Sequence, residues 1–331
     1  MPLRPSRSSR WRRGAAALCL VGAVSAAPAD GVAEVIKPLH RGTPHDALFD
    51  VAFDGARGIA VGAFGSVLES ADGGATWQRQ PSLPTANLAL MSVAMRGGKC
   101  LAVGQSGLVF TADDCKTWKK AAAVTPSRLL AVDVNAQGVA YAVGGFGTVL
   151  RSADGGQTWA VQTIDWKEFT KDGAEPHLYD VHVAADGTPT MVGEFELILR
   201  ADAAGKNWKA LRKGERSLFA LAMQSDGRAY VVGQSGAVLA SSDGGATWRA
   251  LSSGTEAILT SVHAGAKGAP LLASGINTML SSKDDGGTWR RVVSDQAAQG
   301  RHQAIGAGTA GDGKVRLVVV GSGGAILEIN P

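Results

Sequence analysis

Ser70-Ala71-Asp72-Gly73-Gly74-Ala75-Thr76-Trp77 decides how this chain is read, because the same pattern returns along it at near-constant spacing. Copies end at Trp118, Trp159, Trp208, Trp248 and Trp289, so successive tryptophans stand 41, 41, 49, 40 and 41 residues apart. Such a period points to a stacked or circular array of small units. The logic inside one copy is local. The aspartate accepts hydrogen bonds from nearby backbone N–H groups, the glycines take dihedrals that a Cβ forbids, and the threonine returns the chain to extended geometry. The tryptophan then supplies a large apolar anchor. A polar turn closed by an indole is punctuation between strands, not a substrate pocket.

This Ser/Thr-x-Asp-x-Gly-x-Thr-Trp pattern resembles the Asp-box, or bacterial neuraminidase repeat, of several β-propeller families. Asp72, Asp154, Asp243 and Asp284 sit in full copies. Asp113 has Cys115 where glycine is expected, and the Asp202 copy is one residue longer and lacks the first Ser/Thr, so distorted turns are expected at both.

A second element precedes each box. Val61-Gly62-Ala63-Phe64-Gly65-Ser66-Val67-Leu68 recurs from Val103, Val143, Val192 and Val232, more loosely around Ala273-Ser274-Gly275, and finally from Val320-Gly321. Apolar runs broken by a short Gly turn read as β-hairpins, and another short strand precedes each, as at residues 48–53. Three strands before a box and one after its tryptophan make a four-stranded unit. The fold predicted for residues 30–331 is therefore all-β, a seven-bladed β-propeller of four-stranded antiparallel blades. Seven hairpins against six boxes leave the last blade one strand short. Residues 32–38 are expected to pair with residues 326–329, close the ring and hide a sheet edge.

Residues 1–29 read as a cleavable signal peptide. Arg4, Arg7, Arg10, Arg12 and Arg13 precede a short apolar run that ends in Ala27-Pro28-Ala29. The run is short for a membrane span of about 20 residues, and a periplasmic or secreted protein is expected, with Sec export fitting better than the twin-arginine route. Removing this leader leaves 28 Lys and Arg against 29 Asp and Glu, so the basic balance of the whole chain comes from the leader. No basic stripe interleaved with aromatics supports nucleic-acid binding. The six histidines show no metal-ligand spacing, and no cofactor motif is present. Cys100 lies in a strand and Cys115 in the turn after the next strand, opposite residue 111 at the same end. A disulfide or two unpaired thiols fit that placement.

Over the mature chain, Asp-boxes behind Val-Gly-x-x-Gly-x-Val-Leu hairpins and a secretion signal are similar to the photosystem II stability and assembly factor-like propellers. The resemblance implies a non-enzymatic scaffold that holds a protein client during assembly; a monomer is expected, with peripheral membrane association through that client. A sialidase-like glycosidase or a carbohydrate-binding propeller is the rival class, because sialidases also carry Asp-boxes. Their chemistry needs an arginine cluster and a tyrosine nucleophile beside a carboxylate. Tyr141 and Tyr230 sit at packing positions of strands, which leaves Tyr179.

Alternation along the blade puts boxes on one face and the second-to-third-strand turns, with the inter-blade loops, on the other. The turns bring Phe64, Gln105, Phe146, Glu194, Phe195, Glu196, Gln234 and Asn277, and the loops bring Arg41, Arg128, Arg216, Arg301 and His302. The 49-residue interval places an insertion at residues 165–172 that is expected to expose Trp166 and Phe169. This face is the expected partner site.

Overall fold

The computed structural model describes residues 35–330, so the expected leader at 1–29 lies outside the described residues. Seven four-stranded antiparallel sheets are arranged as blades of a ring. In blade 1 the strands run Leu48–Asp54, Arg57–Gly62, Val67–Ser70 and Gln78–Gln80. The first strands of blades 2 to 7 are Leu90–Arg96, Leu129–Val134, Leu178–Val183, Leu218–Met223, Leu259–His263 and His302–Thr309. Each packs against the next around the ring, the seventh against the first.

The core lies between blades. Ile59 and Val61 of blade 1 pack with Val93 and Cys100 of blade 2, and Leu48 and Val51 pack with Val318 and Val320 of blade 7. Central strands such as Ala229–Gly233 are buried throughout, because both faces of each sheet are covered.

The hairpin glycines have a steric cause. Gly62 is extended, with φ −168, yet a Cβ there would collide with the carbonyl of Ala47 in the incoming loop. Gly104 meets Ala89 and Gly144 meets Arg128 in the same way. The inter-blade loop runs against the hairpin so tightly that only hydrogen fits, and the recurrent Val-Gly follows from that.

Four boxes share one network. Ser70 Oγ donates to Asp72 Oδ1 at 2.8 Å, the Thr76 N–H donates to Asp72 Oδ1 at 2.9 Å, and Thr76 Oγ1 donates to Oδ2 at 2.6 Å. Trp77 Nε1 closes the turn on the Gly74 carbonyl at 3.0 Å. Asp154 and Trp159, Asp243 and Trp248, and Asp284 repeat this pattern, while Trp289 Nε1 has no hydrogen-bond partner among the described residues. The Thr158 hydroxyl and N–H pull the Asp154 carboxyl down to about 2. Before Trp208, Asp202 accepts from the Lys206 N–H and from Asn207, which stands in for the threonine.

The box before Trp118 corrects one expectation. Asp114, not Asp113, accepts from the Lys116 and Thr117 N–H groups and the Thr117 hydroxyl. Residue 114 holds the place of a glycine in the full boxes, and its carboxylate reaches the same donors one position later. Cys115 takes the left-handed φ of 54 there and is disulfide-bonded to Cys100, with Cα atoms 5.1 Å apart. Cys100 pairs with Ala112 in the sheet, one place from the residue expected.

The last blade is completed from the other end of the chain. Val35–His40 pairs antiparallel with Ile326–Asn330, slightly later than expected, with a bulge between Pro38 and His40. The insertion also differs from expectation. Trp166 and Phe169 are buried, 6.4 Å apart between ring centroids, among Tyr141, Val149 and Leu197. The indole covers Gly147, and burying two large rings against that flat hairpin outweighs displaying them to water.

Deleting residues 35–40 should expose the edge of Ile326–Asn330, lower the melting temperature and broaden the transition. Unchanged melting would refute closure by this strand. In exported protein, Cys100 and Cys115 should resist alkylation until reduced. Closing a loop of about 15 residues stabilises by roughly 3 kcal/mol in the chain-entropy model, so Cys100→Ser with Cys115→Ser should melt earlier; equal melting would remove that role.

Candidate functional site

The two faces of the ring differ in how their polar groups are used. On the box face, arginines of one blade clasp the box of the next. Arg316 Nη1 donates to the carbonyls of Asp72 and Gly73 at 3.3 and 3.2 Å, and Arg200 donates to Gly244 at 2.7 Å. Arg57 reaches the carbonyls of Asp114 and Cys115, and Arg228 pairs with Asp285 at 3.0 Å. These cations are engaged within the fold.

The hairpin face keeps more of its groups free. Arg41, Arg128 and Arg301 are exposed and form no ion pair among the described residues. Arg41 and Arg301 line one cleft of about 360 Å³, floored by Val319 and Leu327. Phe64, Phe146 and Phe195 stand 56, 70 and 41% exposed at equivalent turn tips. Glu194 accepts from the His177 N–H at 2.8 Å.

Other expected residues of this face are occupied internally. Glu196 is buried and accepts from Arg212 Nε at 2.8 Å and Arg216 Nε at 3.3 Å. Burial pushes its carboxyl up, but the two guanidiniums outweigh it and hold it below the usual range. Glu196 and Arg216 therefore brace the turn of blade 4. His302 begins a strand instead of lying in a loop, and its buried ring is held 3.2 Å from the Ala297 carbonyl. With Trp166 and Phe169 also buried, Glu196, His302, Trp166 and Phe169 support the face from beneath instead of meeting a partner, and Arg216 is tied to Glu196.

Sequence reasoning missed the ring of residues at the mouth of the central channel. Every first strand carries a register shift just after its opening buried residue. The bulge leaves Phe49, Met91, Leu130, Tyr179, Phe219, Thr260 and Gln303 half-buried at equivalent places. Aligning the units on that opening residue would have revealed the set. Tyr179 and Phe219 touch edge to face at 4.8 Å, Tyr179 meets His177 at 6.3 Å, and His177 meets Phe146 at 5.0 Å. An aromatic track thus crosses blades 3 to 5.

Below it, carboxylates stitch the first strands together. Asp50 accepts from the Ser92 hydroxyl at 2.7 Å and the Val93 N–H at 2.9 Å. Asp133 accepts from the Val183 N–H and Asp180 from that of Leu221. Burial in the ring, with Asp50 and Asp133 adding repulsion, pushes Asp180 up to about 7. Burial and then the nearby Glu194 carboxylate raise the Tyr179 phenol, the wrong direction for a nucleophile.

The fold is a closed seven-bladed propeller whose box face has Arg57, Arg200, Arg228 and Arg316 tied to neighbouring blades and whose hairpin face carries exposed phenylalanines and arginines. Its family is shown by comparison: the model of the Photosynthesis system II assembly factor YCF48 family matches residues 42–127 and 113–217, more than half of the chain. The chain belongs to that family. Among solved structures, "YCF48 bound to D1 peptide" is 18% identical with a TM-score of 0.69, covering 92% of this chain and 97% of that one. YCF48 from Cyanidioschyzon merolae is 20% identical with a TM-score of 0.67, covering 89% and 98%. Streptogramin B lyase, at 13% identity and 0.70, covers 90% of this chain and 97% of its own and shares the fold. No curated protein matches the chain.

Asp180 also generates a pH test. Its folded value lies above the unfolded carboxyl value of about 3.9, so the native state holds the proton more tightly and Asp180 adds stability that disappears as pH rises through about 7. From pH 8 down to pH 5, wild type should gain melting temperature relative to Asp180→Asn. A pH-independent difference between the two would remove Asp180 as the titrating group.

Proposed function

We propose that this chain is an exported, non-enzymatic propeller scaffold that holds a segment of a protein client on its hairpin face during assembly or stabilisation of a membrane or envelope complex. The observation that carries the reading is the asymmetry between faces. Four box-face arginines, Arg57, Arg200, Arg228 and Arg316, are engaged by neighbouring blades, whereas Arg41, Arg128 and Arg301 and three exposed phenylalanines share the opposite face. Arg and aromatic side chains are the usual anchors of protein interfaces. Membership of an assembly-factor family supports the reading, as does a solved relative that binds a peptide.

Export is part of the proposal. The arginine-rich, then apolar, residues 1–29 have the pattern of a leader, and the Cys100–Cys115 disulfide suits an oxidising compartment. The client is then a lumenal or periplasmic segment of a membrane protein, and the propeller reaches the membrane through it.

Replacing Arg41, Arg128 and Arg301 with alanine should leave melting unchanged, since none forms an ion pair within the described fold. The same variant should lose the membrane-protein clients that wild type retrieves from its native envelope, as identified by mass spectrometry. Lys116→Glu with Lys283→Glu, both exposed on the box face, should retain them. The reverse pattern would mean that the client sits on the box face.

A further inference from the structure

The three exposed phenylalanines are held in a conformation that bulky residues avoid. Phe64, Phe146 and Phe195 have φ of 56, 53 and 60, the left-handed region. Blades 2, 5, 6 and 7 place Ser106, Ser235, Asn277 and Gly323 at the same tip, with φ of 53, 51, 54 and 67. A left-handed residue with a Cβ is disfavoured because that atom crowds the following carbonyl oxygen, and a glycine, as at Gly323, relieves that strain. Exposure of three rings adds a second cost, because apolar surface in water is unfavourable. The fold gains little in return, since the rings stand at the surface. Strain and apolar exposure that coincide at equivalent sites point to a binding role.

The rings do not stand alone. Phe146 opens the track through His177 and Tyr179 to Phe219, which leads from a turn tip to the channel mouth. Half-buried Phe49, Met91 and Leu130 continue the apolar rim. Charge is arranged around it. The backbone of Arg128 adjoins the turn of Phe146, since Gly145 N donates to its carbonyl at 3.0 Å. Arg41 and Arg301, with Asp295 beside them, line the cleft across the ring over blade 7, whose floor residues Val319 and Leu327 pack toward blade 6. Glu194 and Glu196, the acids of the blade 4 turn, are engaged by the His177 N–H and by Arg212 and Arg216.

Resting on the client-binding reading above, we propose that this face selects an extended polypeptide that lies across the channel mouth. It sets apolar side chains on the Phe146–His177–Tyr179–Phe219 track, under Phe64 and Phe195, and acidic side chains toward Arg128 and the Arg41–Arg301 cleft. The free cations argue for acidic flanks, and a mouth rimmed by aromatic residues of adjacent blades argues for apolar side chains between them.

The test uses the mature chain and two labelled decapeptides, one with two phenylalanines and a leucine between glutamates, the other with those three replaced by serine. Fluorescence anisotropy should show the apolar peptide binding at least about tenfold tighter. The triple variant Phe64→Asn, Phe146→Asn, Phe195→Asn should lose that preference while melting at the same or a higher temperature, because asparagine tolerates the left-handed turn. Phe64→Ser, Phe146→Ser, Phe195→Ser, copying blades 2 and 5, gives a second set with the same expectation. Equal affinity of wild type for both peptides, or an unchanged preference in the folded variants, overturns the inference. Phenylalanine-dependent binding to anionic vesicles without peptide preference assigns the face to lipid, and a wild-type dimer dissolved by the variants assigns it to a second copy; either overturns it too. If the asparagine variant still retrieves clients and the arginine variant does not, the client-binding face stands and only the aromatic selection fails. Retention of clients by the arginine variant would instead count against the function proposed for the face.

Discussion

Each blade of this protein has two apolar faces, and a four-stranded sheet cannot cover either by itself. Only neighbours on both sides can, so a linear row would leave two open faces and the ring must close. Pairing of Val35–His40 with Ile326–Asn330 performs that closure. The two ends of the chain thereby become part of one sheet, and the packing of blade 1 on blade 7 through Leu48, Val51, Val318 and Val320 depends on it.

Inside the ring, closeness is enforced twice. Asp50, Asp133 and Asp180 reach backbone N–H groups of the next blade's first strand, and Ser92 and Ser261 do the same with hydroxyls. At the hairpin face, incoming loops press on glycines that no larger residue could replace. The box face is clasped by arginines. With these bonds in place the frame is complete, and Arg41, Arg128 and Arg301 at the hairpin face stand outside it, with no ion pair among the described residues.

The same rigid frame makes the exposed phenylalanines informative. A flexible loop could relax a left-handed residue, but turns locked between a buried glycine and an inter-blade carbonyl cannot. Four blades use Ser, Asn or Gly there, so the backbone conformation belongs to the fold and the ring side chain is an addition to it.

The sequence by itself determined the blade count, the strand number per blade, the positions of the boxes and the missing strand at the end. Those features are local or periodic: an Asp-Gly turn, an alternating strand and a count of hairpins carry their meaning within about 40 residues. Family resemblance was legible for the same reason. The tertiary structure alone decided which loop residues face water. Trp166 and Phe169 turned inward because the flat hairpin around Gly147 lies beneath them, Glu196 was buried by Arg212 and Arg216, and His302 was drawn into a strand start beside Ala297. Asp114 replaced Asp113 because a carboxylate one residue on reached the same donors. The channel-mouth ring and the Phe146 to Phe219 track join residues far apart in the chain, and only closure of the seven blades brings them side by side.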